Sequence, residues 1–279
     1  MILSIIIVSF NTKELLKDCI TSVEQSLENV EHEIIVVDNN SSDESAAMLQ
    51  KCFPQVRIIH NNFNAGFAKA NNQGYVVSSG KYVLLLNSDT IVKDAALEKL
   101  TDFMENHPDA AVAGPRLLNP DLSLQLPCRR GFPRLINSIG YFSGISRIFP
   151  KIKLVGSYNM TYMDDGASHE VDAVSGACMV VRRDVIAEIG GLFDEDYFMH
   201  FEDIDLCFRA KLHKLKVWYV HDAKVVHLKG QSSKLRSRGV RRNFYDSALR
   251  YFEKNYRNEN RCAYYLLVVC IKCMRMVSR

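Results

Sequence analysis

Residues Tyr82 to Thr90 read Y-V-L-L-L-N-S-D-T. Five residues suited to a buried strand, Tyr82 to Leu86, stop abruptly at Asn87-Ser88-Asp89. A buried strand that ends in a carboxylate delivers it to the carboxyl edge of a sheet, where open α/β sheets hold their ligands. An Asp at that edge suits a hard divalent cation, which takes oxygen ligands and bridges to substrate phosphates. A plain strand end closed by an Asx-type turn would use the same residue types.

The flanking sequence repeats the pattern. Ile2 to Val8 is a continuous apolar strand, β-branched at five of seven positions. Asn11-Thr12 opens a helical spacing of Leu15, Leu16, Cys19, Ile20 and Val23, with Thr12 as N-cap. Glu33 to Val37 is a second strand, and Ser41 to Glu44 caps a helix running to about Lys51. Further strands are expected at Val56 to His60 and Ala110 to Gly114, with helices at Lys69 to Ser79 and Ala95 to Asn106. Such alternation over the first 115 residues argues a parallel sheet. Its strand ends carry polar residues in series: Ser9-Phe10-Asn11, Asp38-Asn39, Asn64 to Ala68 and Asn87-Ser88-Asp89. Polar ends in consecutive βα units line one edge of one sheet, which is how a nucleotide crevice is made. Neither G-x-G-x-x-G nor G-x-x-x-x-G-K-[ST] occurs, which disfavours a dinucleotide dehydrogenase or a P-loop enzyme.

Arg116 to Ser168 breaks this rhythm with Pro, Gly, Arg and aromatics, and reads as an irregular excursion. Val171 to Arg182 returns as a strand pair or a strand-turn unit, followed by a short helix at Arg183 to Ile189 stopped by Gly190-Gly191. Glu202 to Leu212 is helical, Lys216 to Val220 and Ala223 to His227 are strands, and the chain is helical again from Tyr245. The 279 residues are 47% hydrophobic with net charge +3, so no global nucleic-acid footprint exists. Basic residues concentrate from Lys224 to Arg242, including Lys229, Lys234 and Arg236, and again from Lys254 onward. They form a solvated face or meet an anionic partner such as a phosphate-bearing substrate or membrane surface. Most of the eight cysteines sit in apolar runs and are expected in the core; the lone C-I-K-C at Cys270 to Cys273 argues no zinc site. Met1 to Val8 lacks the charged flank and cleavage site of a signal peptide, and no stretch is long enough to span a bilayer.

The ordered set V-S-F-N, V-V-D-N-N-S-S-D, N-x-G-F-A-x-A-N-N-x-G, L-L-L-N-S-D-T and G-G-L-F-D-E-D-Y-F-M-H-F-E-D-I-D-L-C-F-R resembles the inverting family 2 glycosyltransferases of GT-A fold. Within that family it is most similar to the bacterial rhamnosyltransferase-like group that builds cell-surface polysaccharide. The resemblance covers roughly Ser4 to Ser233. It implies a Rossmann-like, mostly parallel central sheet flanked by helices, with a C-terminal helical appendage. It divides the chain into residues 1–233, with a nucleotide-binding half at 1–115 and an acceptor-binding, catalytic half at 116–233, and a basic, amphipathic segment at 234–279.

Residue roles follow from the same resemblance. Ser9 and Asn11 match the segment that meets the nucleoside, and Asp38, with Asn39 beside it, the carboxylate that accepts from N3 of a uracil or thymine ring. An ionised carboxylate only accepts, so it selects a base that presents N–H. Gly66, Phe67, Ala68 and Asn71 match the loop over the nucleotide, Asn71 standing where some members carry Arg. Asn87-Ser88-Asp89 matches the D-x-D metal motif with its first carboxylate replaced by Asn. That leaves Asp89 as the motif's only charged ligand, with His227 as helper for Mg²⁺ or Mn²⁺. Asp203 matches the catalytic base, and Glu202 a residue that holds the acceptor or the site's geometry. Glu195, Asp196, Glu202, Asp203 and Asp205 are expected together as a lined site, and Arg209 to pair with them; helix-dipole complementarity explains only one or two acids. His200 and His221 are read as structural.

The implied activity is transfer of a sugar, expected to be rhamnose from dTDP-rhamnose, to a hydroxyl of a glycan or lipid-linked glycan at the inner face of the plasma membrane. A sugar nucleotidyltransferase would want a Gly/Arg/Lys-rich loop after the first strand, which Ser9 to Lys13 does not supply. A non-catalytic nucleotide-sugar-binding protein would not need Asp203. The acceptor pocket is expected from Gln125 to Arg134 and Val174 to Met179; the sequence does not fix the oligomeric state.

Overall fold

The computed structural model describes residues 1–134, 157–228, 238–257 and 261–277. The alternating half appears as β1 (Leu3–Ser9), α1 (Lys13–Gln25), β2 (His32–Asp38), α2 (Ser45–Cys52), β3 (Arg57–His60), α3 (Phe67–Val77) and β4 (Tyr82–Asn87). β5 (Thr90–Val92), α4 (Ala96–Asn106) and β6 (Ala110–Leu118) follow. The second half holds β7 (Arg129–Arg130), β8 (His169–Glu170), β9 (Ala173–Val174), β10 (Cys178–Arg182), α5 (Arg183–Glu188), α6 (Glu202–Leu212), β11 (Lys216–His227), α7 (Arg238–Tyr256) and α8 (Arg261–Val277).

The central sheet runs β3-β2-β1-β4-β10-β6-β11-β5, with β8 beside β11. β3, β2, β1 and β4 are parallel, and β10 enters antiparallel between β4 and β6. Helices cover both faces, which is why β1, β4 and β10 are near-continuous apolar runs and not alternating ones. Because β10 is antiparallel, its start lies beside the end of β4: Cys178 pairs with Leu86, and Asn87 N donates to Ala177 O at 2.9 Å. The turn Ser175-Gly176-Ala177 is thereby brought to the carboxyl edge of the parallel strands.

Three local outcomes differ from the sequence reading. After Asp89 the chain forms β5, which pairs antiparallel with the end of β11, Thr90 opposite His227. The two strands expected at 216–220 and 223–227 are one strand, with a register shift between Val220 and Lys224. Thr12 stands at the N-cap of α1, but its hydroxyl lies 3.0 Å from Ser9 Oγ and donates to Ser88 Oγ at 3.0 Å. Asp43 Oδ2 accepts from Lys13 N at 2.7 Å in its place.

Half the cysteines depart from the expected core: Cys19, Cys128, Cys178 and Cys207 are buried, but Cys52, Cys262, Cys270 and Cys273 are exposed. No described helix is long and apolar enough to cross a membrane. Of the basic run, Lys229, Lys234 and Arg236 lie outside the described residues.

Candidate active site

The carboxyl edge of the sheet opens into a cleft of about 440 Å³. One wall carries Asn39, Gly66, Phe67, Asn87, Ser88, Asp89 and His227, and the facing wall Arg130, Gly176, Glu202 and Asp203. Val240, Arg241, Phe244 and Tyr245 from the first turns of α7 close a third side. His200, read as structural, also lines the cleft, its ring 5.7 Å from that of Phe244.

Register builds the first wall. Ser9 pairs with Asp38, Val8 with Asn87, and Asp38 with His60, so these strands end level. Ser9, Asn11, Asp38, Ala68 and Asn71 stand behind the lining. Ser9 is buried in the Thr12–Ser88 chain. Asn11 Oδ1 accepts from Ser42 N at 2.8 Å, bracing the loop after β2. Asp38 is 4% exposed, with Ser41 N 3.3 Å from both its oxygens. Ala68 and Asn71 are buried in α3, where Asn71 Nδ2 donates to Phe67 O at 2.9 Å. Asn39 Nδ2 donates to Gly66 O at 3.1 Å and ties β2 to the loop before α3. Gly66 has φ +86°, and a Cβ there would meet Phe198 O at 2.6 Å, so backbone shape and space both require glycine.

β5 brings His227 to Asp89: His227 Nε2 lies 3.3 Å from Asp89 Oδ1 and 3.4 Å from Asn87 Nδ2. The amide of Gln125 fixes the imidazole. Its Nε2 donates to His227 O at 3.3 Å and to Asn119 Oδ1 at 3.1 Å, which leaves Oε1 to accept from His227 Nδ1 at 2.7 Å. A neutral ring that donates through Nδ1 presents a bare Nε2 lone pair toward Asp89. Asn87 Oδ1 is buried without a hydrogen-bond partner among the described residues. One carboxylate, one oriented imidazole and one amide oxygen suit a hard divalent cation whose remaining ligands are phosphate and water. No cluster of three or more His, Cys, Asp or Glu that could hold a metal ion occurs among the described residues.

The facing wall starts at α6. Its N-cap Phe201 has φ +68°, which turns Glu202 and Asp203 inward as the helix begins. Asp203 Oδ2 accepts from Arg130 Nη2 at 2.5 Å and Gly176 N at 2.9 Å, and Oδ1 from Ile204 N at 2.8 Å. Arg130 Nη2 also donates to Val174 O at 2.9 Å, and both side chains are nearly buried. Burial works against the Arg130 cation, but Asp203 more than restores it, so its pKa stands above the usual range. Burial, then the neighbouring Asp203 charge, pushes the Glu202 carboxyl up to about 8. Glu202 Oε2 has no hydrogen-bond partner among the described residues.

The rest of the acidic segment serves packing, which corrects the expectation of one lined site. Asp205 is fully buried, 2.9 Å from Arg209 Nε and 2.8 Å from Lys254 Nζ. Asp194 meets Arg250 at 3.2 Å and Lys254 at 2.9 Å, and Asp196 also pairs with Arg250. These acids clamp α7 onto the body. Glu195 Oε1 accepts from Asn72 Nδ2 at 3.1 Å. Gln125 and Arg130 received no individual role from sequence; both lie in the aperiodic stretch flagged only as acceptor pocket.

The chain belongs to glycosyl transferase family 2, whose description as "Glycosyl transferase family 2" it matches over residues 4–190. It is 29% identical over 213 residues to the N-acetylglucosaminyl-diphospho-decaprenol L-rhamnosyltransferase of Mycobacterium tuberculosis, covering 72% of this chain and 67% of that protein. Among solved structures it is similar to GalNAc-T7 with UDP, GalNAc and Mn²⁺, at TM-score 0.65 and 15% identity, covering 91% of this chain and 48% of that one. It is also similar to the mannosyltransferase PcManGT of Pyrobaculum calidifontis with GDP-Man and Mn²⁺, at TM-score 0.62 and 14% identity, covering 92% and 65%. The fold is therefore GT-A.

Proposed function

We propose that this chain is an inverting, metal-dependent hexosyltransferase. It moves rhamnose from dTDP-rhamnose to a hydroxyl of a glycan or lipid-linked glycan in bacterial surface polysaccharide synthesis, at the inner face of the plasma membrane. The observation that carries this reading is the cleft itself, which sets the Asp89–His227 pair across from Glu202, Asp203 and Arg130. The names of the M. tuberculosis relative and of the Mn²⁺-bound neighbours support it. Residues 1–115 hold the donor and 116–233 the acceptor; the segment 234–279 adds α7 as a cleft wall.

The nucleotide lies along the first wall, with Asp38 accepting from the base and the loop Gly66-Phe67-Ala68 over it. Asp89 and His227 would hold Mg²⁺ or Mn²⁺, which when bound would supply positive charge to the departing diphosphate. Asp203 takes the proton of the acceptor hydroxyl as that oxygen bonds to the anomeric carbon and the bond from that carbon to the diphosphate oxygen breaks. One attack from the face opposite the leaving group inverts the anomeric centre. Arg130 and Gly176 occupy Asp203 Oδ2, so Oδ1, with one backbone donor, receives the proton. Glu202, protonated below about 8, adds no second negative charge beside Asp203.

A panel of nucleotide sugars tests this, with hydrolysis and transfer followed with and without Mn²⁺ and the product anomer read by NMR. The expected result is preference for dTDP-rhamnose, an inverted product and loss of turnover in EDTA. Failure to turn over any nucleotide sugar in Mn²⁺ sinks the enzyme reading; a retained anomer sinks the single displacement.

A further inference from the structure

α8 presents two apolar faces, and only one of them is packed. Leu267 and Ile271 are buried, Tyr264 and Met274 pack beside the core, and Arg275 ties α8 to Asp246 of α7 at 3.0 Å. On the other side Cys262, Tyr265, Leu266, Val269, Cys273 and Met276 are exposed, Leu266 by 54% and Val269 by 57%. Their spacing is that of one helical stripe, about 21 Å long at 1.5 Å per residue. Docking on α7 therefore accounts for half of this helix's apolar surface and leaves the other half in water, where a contiguous patch marks an interaction site.

We propose that this outward stripe of α8 lies in the surface of an anionic bilayer. The charge pattern selects that occupant. From Arg261 to Arg279 there is no Asp or Glu, and Arg261 and Lys272 are exposed beside the stripe. An anionic headgroup layer attracts such flanks. Two copies meeting through this face would bring no carboxylate of α8 to either set of basic flanks. The stripe also falls far short of the roughly 20–30 residues a side of a stable protein interface. A short helix with an apolar stripe, a tyrosine and basic flanks lies in the interface and does not span it. α8 sits on α7, whose first turns line the cleft, so lipid contact would hold the acceptor side one helix from the membrane. The proposal rests on the lipid-linked acceptor reading above for its purpose, but its test does not.

The experiment is co-sedimentation of the full chain with acceptor-free vesicles of phosphatidylcholine, alone or with about three-tenths phosphatidylglycerol. Wild type is expected to bind the anionic vesicles at least about fivefold more tightly, the ratio falling with added salt. Leu266→Glu with Val269→Glu is expected to lose at least about tenfold of that binding. Both side chains point outward, and unchanged hydrolysis of the soluble donor reports that the variant is folded. If that variant does not fold, Arg261→Glu with Lys272→Glu reads the same surface through its charge and should weaken only the anionic binding. Unchanged binding by the folded variant overturns the proposal. So does a dimer in light scattering that these substitutions dissociate while wild type ignores both vesicles. Transfer to soluble but never to lipid-linked acceptors would sink the acceptor reading and leave the vesicle result standing.

Discussion

Two aspartates face each other across the cleft, and their partners divide the labour. Asp89 has an imidazole at 3.3 Å, whose Nδ1 lies 2.7 Å from Gln125 Oε1. Asp203 has a guanidinium at 2.5 Å that carries its charge permanently. The first pair has room for an incoming cation; the second is already neutralised and excludes one. In the proposed function the carboxylate beside the permanent cation accepts a proton from a substrate hydroxyl, and the one beside the imidazole would ligate a metal. On that reading the Asp89 wall depends on something added, and the Asp203 wall is complete without it.

The sharpest way to break this division is Asp203→Asn. A positioned base contributes roughly two to four orders of magnitude, so turnover should fall by that factor while donor affinity, read by calorimetry, stays nearly unchanged. Retention of more than about a tenth of wild-type kcat would remove Asp203 from the chemistry.

Asp89→Ala probes the opposite wall. Turnover should fall by about a hundredfold or more, matching the effect of excess EDTA on wild type. Mn²⁺ binding, followed by EPR with the nucleotide diphosphate present, should weaken with it. His227→Ala should weaken Mn²⁺ by roughly the ten- to hundredfold that a lost or misoriented ligand costs. Full activity in EDTA, or in Asp89→Ala, would dissolve the contrast between the walls.

Arg130→Gln asks whether the guanidinium positions Asp203 for its proposed role. The substitution removes the charged donor from Asp203 Oδ2, so kcat should fall by roughly tenfold, with Arg130→Lys restoring part of the loss. Donor KM should hardly change, because Arg130 is on the acceptor wall. An unchanged kcat would reduce Arg130 to a packing role.

The donor wall was far more legible in the sequence than the acceptor wall, and the reason is physical. Parallel strands buried on both faces are unbroken apolar runs, and each ends in a polar residue at the same sheet edge, so β1, β2 and β4 announce both fold and crevice. His227 could be suspected of meeting Asp89, but β5, the three-residue strand that joins them, carries no pattern of its own. β7, β8 and β9 are two residues each, too short for any periodicity to mark. Arg130 sits in that region. The acids near α6 were visible as a cluster, yet composition cannot tell a carboxylate that meets substrate from one that meets Arg250 or Lys254. Asp194, Asp196 and Asp205 proved to be the second kind because their partners arrive on α7, far along the chain.

The smallest expected effect concerns Glu202, the buried carboxyl beside Asp203. In the unfolded chain it titrates near the ordinary 4.5, and in the folded protein burial, with Asp203 second, pushes it up to about 8. Between those values the folded state keeps a proton that the unfolded state has released. Stability falls with pH wherever the folded state binds more protons. Glu202 therefore favours the fold fully below about 4.5, and its contribution is lost as pH rises through about 8. Glu202→Gln keeps the shape and a donor while abolishing the titration. In a thermal melt the variant should gain on wild type as pH is raised from about 5 to about 8.5, by roughly 2–4 °C for each kcal/mol recovered. Since an amide still donates, kcat at neutral pH should change far less than in Asp203→Asn. A Tm difference that is flat across this range would mean that Glu202 is ionised in the folded protein. The acceptor wall would then carry two negative charges against the single Arg130, and Asp203 would no longer be the neutralised partner that sets it apart from Asp89.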